Sequence, residues 1–457
     1  MTDLCYLPGH VLADRIRHGE LSAVEVLNAQ LERIDKHNPE LGAVVSLDAG
    51  AAWAAAEAAD AALRQGTPLG PLHGVPITLK DSIDVAGLRT TIGTEMFDRM
   101  ADRDSTVAAR LRAAGAIVIG HSNVPPFLTD YTTANPIFGR TGNPWRLDHT
   151  PGGSSGGAAA ALAAGLTPLE VGSDLTGSLR LPAHFCGVYG LKPTEHRVPL
   201  TGFFKQPEGA PRSVRIMSSL GPMARDLGDL ALALRLIGGP DERDTDVPPV
   251  PWQEPPRRPL RALRLAMTPA LPGGPVAAPV RDRVAEVAAA ASDAGAGVDE
   301  CLPELDWDAQ RELFVGLLTT ILGVFHPSGE LDEERRSLAA YLRALTGRDR
   351  LIIAWEEFFS RYDALLLPTA MTSAHPEADT VPVDDRPVPA LAHGGQLIFA
   401  NLAGLPSLVV PAGLDEEGLP IGVQLVGPRW SEPRLLAIAT QLEQAGILPG
   451  FAPPPGY

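Results

Sequence analysis

The chain has 457 residues, of which 45% are hydrophobic, and a formal net charge of −17 at pH 7. This length fits one large α/β domain or two to three smaller ones. The acidic balance argues against nucleic acid and anionic membrane surfaces as partners, because phosphate binding needs clustered Lys and Arg. No apolar run approaches the ~20 residues of a membrane-spanning helix, the first ten residues do not form a secretion signal, and the three cysteines have no metal or redox spacing. We therefore expect a cytoplasmic protein.

Helices are predicted at the start of the chain. Ser22 and Glu25 have the spacing of a capping box, and apolar residues follow them at helical intervals. An alanine-rich helix is predicted over 49–63, and a helix over 104–114 precedes a strand over 116–120. These elements are typical of a structural framework.

A lysine stands near the end of the predicted strand 74–82, GVPITLKDS. Lysine in an apolar strand is costly unless it is paired or neutral. Pairing of Lys80 with Asp81 or Asp84 is the ordinary explanation. A neutral, functional Lys80 is the alternative.

Two serine segments dominate the centre of the sequence. Glycine pairs flank Ser154 and Ser155, an alanine run over 158–164 predicts a helix that ends at Gly165, and a short strand is predicted over 169–172. Ser178 follows in a second glycine-containing loop. A flexible Gly/Ser linker is the alternative, but the segment between the serines is apolar and helix-forming. The pattern favours a crowded polar site at one end of the strand.

The rest of the chain predicts further α/β structure. The segment 123–145 is rich in Pro and Asn, which predicts an irregular and often functional loop. A buried turn is predicted over 183–187, with a strand after it, and the proline-rich stretch 240–259 predicts a surface excursion. The remaining predicted helices are 225–236, 280–294, 307–322, 332–345 (after a break at 326–329) and 432–445, and the remaining strands are 263–267, 364–368, 407–411 and 421–426. Because strands occur at both ends, we predict one domain with a single sheet.

Residues 152–156, GGSSG, also match GxSxG, the nucleophile turn of α/β-hydrolases. That interpretation needs an acid and then a histidine downstream. His326, His375 and His393 are available, but none stands in a distinctive setting.

Several ordered blocks resemble the amidase signature family: LKDSID around Lys80, TPGGSSGG around Ser154 and GSDLTGSLR around Ser178. The resemblance continues through NPIFGRTGNPW, ALLLPTA and NLAGLPSLVVPAG, and covers most of the chain except about 240–350. It implies an α/β fold with a single large domain over 1–457, a central mixed twisted sheet and helices on both faces. The region 240–350 would be a variable part that shapes the substrate site.

The family uses a Ser–cis-Ser–Lys arrangement, and its bridging serine lies 24 residues before the nucleophile. The interval from Ser154 to Ser178 is 178 − 154 = 24. The resemblance therefore implies Ser178 as nucleophile, Ser154 as the cis-peptide bridge and Lys80 as base. A lysine can act as a base only when it is neutral, so burial must lower its pKa from about 10.4.

The resemblance also implies an oxyanion hole formed by Leu175, Thr176 and Gly177, with Asp174 and Arg180 as structural support. The family usually has glycine where this chain has Thr176. Since a β-branched residue tolerates positive φ poorly, Thr176 predicts a changed backbone or a changed pocket.

For the substrate site, the resemblance implies Leu128, and Thr129 and Tyr131 lie beside it; the segment 307–345 would complete the wall. It implies no metal and no cofactor, a small-molecule amide as substrate, and a chain compatible with a homodimer. The expected function is an amidase that passes through a Ser178 acyl-enzyme. Two alternatives remain open: a glutamine-hydrolysing A-type subunit of a tRNA-dependent amidotransferase, and a catalytically inactive binding homologue.

Overall fold

Helices and strands alternate along most of the chain. The computed structural model describes residues 3–204, 212, 214–256, 258–323 and 337–457. In these residues the α-helices are α1 (Gly9–Arg17), α2 (Ala23–Leu41), α3 (Ala49–Arg64), α4 (Thr106–Ala113), α5 (Gly156–Ala163), α6 (Arg180–Cys186), α7 (Leu227–Ile237), α8 (Ala278–Asp293), α9 (Trp307–Leu322), α10 (Leu338–Phe359), α11 (Ile398–Leu402) and α12 (Glu432–Gln444). None of these described helices has the length and apolar character needed to cross a membrane.

The strands in the same residues are β1 (Val44–Leu47), β2 (Pro76–Lys80), β3 (Arg89–Thr90), β4 (Arg99–Met100), β5 (Ile117–Ser122), β6 (Ala134–Asn135), β7 (Gly139–Arg140), β8 (Leu169–Asp174), β9 (Tyr189–Lys192), β10 (Ser219–Ala224), β11 (Arg264–Met267), β12 (Gly297–Glu300), β13 (Ala364–Pro368), β14 (Thr380–Val383), β15 (Arg386–Pro389), β16 (Ser407–Leu414) and β17 (Pro420–Val426). The predicted capping box is confirmed, because Ser22 and Glu25 bond to each other's backbone N–H groups at the start of α2.

An eight-stranded mixed sheet forms the centre of the molecule, in the order β12–β11–β13–β17–β16–β9–β10–β8. β11 runs parallel to β12 and β13, and the other neighbouring pairs are antiparallel. Helices α6, α7, α8 and α12 pack against its strands. The predicted α/β fold with a mixed central sheet is confirmed, and C-terminal strands lie in the middle of that sheet.

A separate sheet of three strands, β1–β5–β2, lies beside β8. Thr78 of β2 donates its backbone N–H to Thr167 Oγ1 at 3.2 Å and its hydroxyl to Glu170 Oε1 at 2.6 Å. Side-chain hydrogen bonds thus replace main-chain bonds between β2 and β8. The prediction of a single sheet is wrong in this respect, because the N-terminal strands adjoin the large sheet without continuing its ladder.

Three chain segments meet beside this junction. β2 is buried along its whole length and ends at Lys80. α5 starts directly after Ser155, and Gly165, just beyond its end, has a φ of +72°, as expected for a helix terminus. Between β8 and α6 lies the short connection 175–179, which contains Ser178.

The segment 183–187, predicted as a turn, instead forms the end of helix α6 and its cap. Pro182 is compatible with this helix because it lies in the first turn, where backbone N–H groups have no intrahelical acceptors. Gly187 terminates the helix in a left-handed conformation, with a φ of 68°.

β10 has no clear sequence signal, because Gly221 and Pro222 interrupt its apolar pattern. It nevertheless lies inside the sheet, with Pro222 opposite Val171 of β8. A Cβ atom at Gly221 would lie 2.0 Å from the carbonyl oxygen of Leu191, so glycine permits the close approach of β9.

Helices α9, α10 and α11 form a second core beside β13 and β17. The predicted helix 307–322 is confirmed as α9, whereas α10 extends to Phe359, well past the predicted end at 345. The predicted break at 326–329 and the predicted start of this helix at 332 lie outside the described residues. Trp355 of α10 is completely buried, with its ring centroid 5.0 Å from that of Phe399.

Candidate active site

Lys80 is completely buried and surrounded by hydroxyl groups. Its Nζ atom lies 2.8 Å from the Oγ atoms of Ser154 and Ser155, and 2.9 Å from Oγ of Ser173. The sequence selected Ser154 over Ser155 by its distance from Ser178, but the structure brings both to the amine. Ser173, at the end of β8, was not predicted.

Pairing of Lys80 with a neighbouring carboxylate, the ordinary explanation, is wrong. Asp81 accepts hydrogen bonds from the backbone N–H and the hydroxyl of Thr91. Asp84 forms an ion pair with Arg99. Both carboxylates are thus engaged with other groups.

The environment of Lys80 favours the neutral amine. Burial lowers its pKa to about 7, although the negative charges of Asp174 and Glu170 act in the opposite direction. Desolvation penalises a buried ammonium group, and hydroxyl groups compensate for it less well than a carboxylate would. A large share of Lys80 is therefore unprotonated near neutral pH.

Ser154 follows a peptide bond that is cis, as the resemblance implied. A Cβ atom at Gly153 would lie 2.4 Å from the carbonyl oxygen of Asp130, so the backbone here leaves room only for glycine. The backbone N–H of Ser155 donates to the carbonyl oxygen of Ser178 at 3.1 Å. This bond ties the two serine segments together.

Ser178 is buried, with 4% of its surface exposed. Together with Ser154 and Ser173 it lines a cavity of about 110 Å³. Its hydroxyl group forms no hydrogen bond to any described residue. Ser178 and Ser154 thus line the same cavity.

Asp174 and Arg180 hold the connection between β8 and α6. Both are completely buried, and Arg180 donates to the two carboxylate oxygens of Asp174 at 2.9 and 3.0 Å. Arg180 also donates to Leu397 O and to Asn401 Oδ1. Burial alone would raise the pKa of Asp174, but the charge and hydrogen bonds of Arg180 hold it well below its usual range. These contacts agree with the supporting role expected for both residues.

Asp174 also accepts a hydrogen bond from one of the backbone N–H groups predicted to bind the oxyanion. It accepts the backbone N–H of Gly177 at 2.9 Å and that of Leu179 at 3.1 Å. Gly177 is therefore removed from the donor set. The N–H groups of Leu175, Thr176 and Ser178 form no hydrogen bond to a described residue and remain available.

The sequence predicted that Thr176 changes either the backbone or the pocket, and a positive φ at Thr176 is not observed. The positive φ of this loop, +116°, falls on Gly177, and Thr176 is not among the residues with positive φ. The consequence of threonine lies instead in the pocket, because Thr176 lines both the cavity at Ser178 and a neighbouring cavity of about 480 Å³.

The predicted substrate residues divide between these two cavities. Leu128 lines the cavity at Ser178, and Thr129 lines both cavities. Tyr131 lines the neighbouring cavity and not the one at Ser178, and its hydroxyl donates to Thr176 O at 2.6 Å. Burial raises the pKa of Tyr131 to about 12. Tyr131 thus supports the loop before Ser178, and its predicted contact with substrate would be made from the neighbouring cavity.

Apolar side chains form most of the wall of the Ser178 cavity. Leu318 and Leu322 of α9 contribute, as the predicted wall 307–345 implied. Leu175, predicted for the oxyanion hole, is also part of the wall, whereas sequence patterns did not indicate the other members, which are Phe127, Phe203, Phe204, Val214 and Ser218. No charged residue is among the described lining residues of this cavity.

Glu170 is a further buried residue near the site that the sequence patterns did not identify. It is completely buried on β8, and burial raises its pKa to about 8. Oε1 accepts the hydroxyl of Thr78, whereas Oε2 has no hydrogen-bond partner among the described residues. A glutamate within the apolar strand LEVG is the signal that could have identified it.

One group of described residues could in principle hold a metal ion: His10, Asp226 and Asp229 have donor atoms within 4.8 Å of one another. Asp229 already accepts hydrogen bonds from the N–H groups of Gly9 and His10 and contacts the imidazole of His10. These bonds connect the starts of α1 and α7 and account for the cluster.

The family of the chain is evident from its similarity to known proteins. The family model described as Amidase matches residues 25–320 and 318–436. The chain belongs to the amidase signature family. Enzymes of this family are amidohydrolases that act on carbon–nitrogen amide bonds.

Individual relatives have different activities. The chain is 36% identical to the A-type subunit of the glutamyl-tRNA(Gln) amidotransferase of Symbiobacterium thermophilum, over 92% of this chain and 93% of that protein. It is also 36% identical to the indoleacetamide hydrolase of Bradyrhizobium diazoefficiens, over 95% of this chain and 86% of that protein. The solved structure of a bacterial aryl acylamidase superposes with a TM-score of 0.82 at 25% identity and covers 97% of each chain.

Proposed function

We propose that this amidohydrolase cleaves an uncharged carboxylic amide with an apolar acyl group, with Ser178 as nucleophile, Ser154 as relay and Lys80 as base. The observation that carries the proposal is the 2.8 Å contact between the buried Lys80 Nζ and Oγ of Ser154, a residue that lines the same cavity as Ser178. Membership of a family that acts on carbon–nitrogen amide bonds supports it.

The surroundings of Lys80 suit a neutral base. A neutral amine has two N–H groups and one lone pair, and these match its contacts with Ser154, Ser155 and Ser173. The lone pair would accept the hydroxyl of Ser154, while the N–H groups donate to the other two serines. A hydroxyl both donates and accepts, so Ser154 can pass a proton from Ser178 to Lys80.

In the acylation step, Ser178 Oγ attacks the amide carbon as its proton moves to Ser154 and the proton of Ser154 moves to Lys80. The carbonyl oxygen becomes an oxyanion, and the free N–H groups of Leu175, Thr176 and Ser178 are the candidates to bind it. The carbon–nitrogen bond then breaks, and the leaving nitrogen takes the proton from Lys80 through Ser154. Water repeats the sequence to release the acid and restore Ser178.

The substrate class follows from the cavity wall. Its described residues are apolar or hydroxyl-bearing, without a charged side chain. Burial of an unpaired charge costs several kcal/mol. The cavity therefore favours an uncharged apolar acyl group over a charged one.

A glutamine-hydrolysing A-type subunit of a tRNA-dependent amidotransferase is the second candidate. It is favoured by the 36% identity to such a protein over almost the whole chain. Glutamine carries an ammonium group and a carboxylate, however, and both need partners that the described wall of the Ser178 cavity does not offer. The two functions thus differ in the acyl group that Ser178 must accept.

The test is covalent labelling together with substitution. We expect a fluorophosphonate probe to label Ser178 of the wild-type enzyme, because it reacts with an activated serine; an inactive binding homologue would not react. Ser178→Ala should abolish labelling and lower hydrolysis of an apolar primary amide by at least ~10⁴-fold.

Ser218→Ala is the matched control, because Ser218 lines the same cavity without contacting Lys80. It should retain labelling and most of the activity. Substantial turnover by Ser178→Ala would contradict the assigned nucleophile.

A further inference from the structure

Glu170 is a buried acid that the proposed mechanism does not use. Thr78 donates to its Oε1 at 2.6 Å. Its Oε2 atom is buried and has no well-aligned hydrogen bond to a described residue, and the same is true of Oγ of Ser122. Ser122 nevertheless lies near enough to Glu170 to favour its ionised form. A carboxylate in this position would be poorly compensated by hydrogen bonds alone. A neighbouring cation also favours the ionised form of Glu170.

That cation is Lys80. Thr78, which holds Glu170, and Lys80 lie two residues apart on β2 and so share a face of the strand. Ser122 of β5, beside Glu170, is the strand partner of Lys80. Glu170 and Lys80 influence each other's charge, since each favours ionisation of the other.

The other charged groups around this pair have partners of their own. Asp174, which also acts on Lys80, is bonded to Arg180. The remaining ones are Asp81, bonded to Thr91; His121, whose ring nitrogens contact Arg89 O and Ile83 O; and Arg225, which donates to Leu162 O and Thr167 O. Asp174 thus has Arg180 as its partner and Asp81 has Thr91 with His121 at 3.5 Å, whereas Glu170 is bonded through one oxygen to Thr78.

We propose that Glu170, bonded to Thr78 on the strand of Lys80, is a positioning residue whose charge adjusts how readily Lys80 accepts a proton. The inference rests on the proposed role of Lys80 as base. When Glu170 is ionised it stabilises the ammonium form of Lys80, and when it is protonated it favours the free amine. Glu170 acts through its charge alone, and the proton accepted by Lys80 leaves with the amine.

The proposed mechanism places two opposing requirements on Lys80. Lys80 must be neutral to start the reaction, yet it becomes an ammonium group within a water-poor site during the attack. Burial raises the pKa of Glu170 to about 8, so only a fraction of it is ionised over the pH range in which Lys80 titrates. The neutral fraction leaves the resting lysine largely free, and the ionised fraction lowers the cost of protonating the lysine.

The experiment measures the second-order rate of fluorophosphonate labelling of Ser178 between about pH 5 and pH 9. The wild-type rate should fall as the pH drops through about 7, because Lys80, whose pKa burial lowers to about 7, becomes protonated. Glu170→Gln removes the carboxylate that stabilises the ammonium form. The pKa of Lys80 then falls, and the midpoint should move to a lower pH than that of the wild type.

Glu432→Gln is the matched control. Glu432 is also completely buried, with one carboxylate oxygen bonded to the N–H of Thr194 and the other without a partner among the described residues. It is not among the charges that act on Lys80. The pH midpoint of labelling in Glu432→Gln should equal that of the wild type.

Thr78→Val provides a second variant if Glu170→Gln does not fold. It removes the hydroxyl that stabilises ionised Glu170, so the midpoint should move in the same direction by a smaller amount. An unchanged or higher midpoint in Glu170→Gln, or an equal shift in Glu432→Gln, would overturn the inference. Failure of the wild-type enzyme to label at Ser178 would instead overturn the proposed function.

Discussion

At the scale of single residues, the chemistry of the site depends on which groups surround a buried side chain. Lys80 meets three serine hydroxyls, at 2.8, 2.8 and 2.9 Å, and no carboxylate hydrogen-bonds to it among the described residues. Asp81, its neighbour in sequence, bonds to Thr91 instead. Because hydroxyl groups bear no charge, they orient the amine without fixing it as an ammonium ion.

Thr176 gives a prediction at this scale. Its side chain lines both the Ser178 cavity and the neighbouring one, so Thr176→Gly should enlarge the passage between them. We expect kcat/KM for an anilide to rise about 10-fold relative to that for the matching primary amide. Steady-state kinetics on the two substrates gives the ratio.

Thr176→Val separates volume from hydrogen bonding, since valine keeps the shape of threonine and lacks its hydroxyl. The valine variant should show the substrate ratio of the wild type. A glycine variant with an unchanged ratio would show that Thr176 does not limit access.

At the scale of elements, the connection between β8 and α6 is shaped by an ion pair that it encloses. Asp174, at the end of β8, accepts the N–H groups of Gly177 and Leu179, while Arg180, at the start of α6, neutralises it. Arg180 also reaches Asn401 of α11. The loop that carries Ser178 is therefore fixed by Asp174 at its start and by Arg180 after its end, and Arg180 is itself bonded to Asn401.

Arg180→Met should accordingly destabilise the fold. Loss of one partner leaves the buried Asp174 carboxylate without its counter-ion, which typically costs about 3–5 kcal/mol. We expect a lower urea midpoint together with lower kcat, because the N–H groups of the loop lose their alignment. Urea unfolding monitored by circular dichroism measures the first effect.

Arg89→Met is the matched control, because Arg89 also donates twice to a carboxylate, that of Asp98, but at the protein surface. Exposed pairs contribute about 0–1 kcal/mol, so this variant should unfold close to the wild-type midpoint. Equal losses in the two variants would refute the special role of the buried pair.

At the scale of the whole molecule, the site lies where two sheets adjoin. Lys80 comes from the three-stranded sheet, and Ser173 and Ser178 come from the end of the eight-stranded sheet and the loop after it. Helix α9 adds Leu318 and Leu322 to the cavity wall. The described chain thus contributes every group that the proposed reaction requires.

We therefore expect the isolated chain to be active on its own, with no second protein present. It should hydrolyse an apolar primary amide, such as an arylacetamide, with a kcat/KM at least ~100-fold above that for glutamine, because the described residues of the cavity wall include no charged side chain. Release of ammonia from each substrate is the measurement. Efficient glutamine hydrolysis, or activity that appears only with a copurifying chain, would favour the amidotransferase function.

Residues close together in the chain were enough to predict the local elements and the family. The capping box at Ser22, the strand that ends at Lys80 and helix α9 depend on such neighbours, and each is found as predicted. The flanking glycines identified the two serine segments for the same reason, and the family's 24-residue interval then selected Ser154 and Ser178. Family resemblance then connected them to Lys80, which local pattern alone would have paired with Asp81 or Asp84.

Which groups meet in the site could be known only from the tertiary structure. In the folded chain the hydroxyl of Tyr131 donates to Thr176 O, and the N–H of Gly177 donates to Asp174. Glu170 accepts the hydroxyl of Thr78, which lies on the strand of Lys80. Contacts between residues far apart in the chain set the burial and the charge environment of each group, and periodicity along the sequence does not encode them. The proton affinity of Lys80, on which the proposed chemistry depends, is therefore a property of the folded molecule.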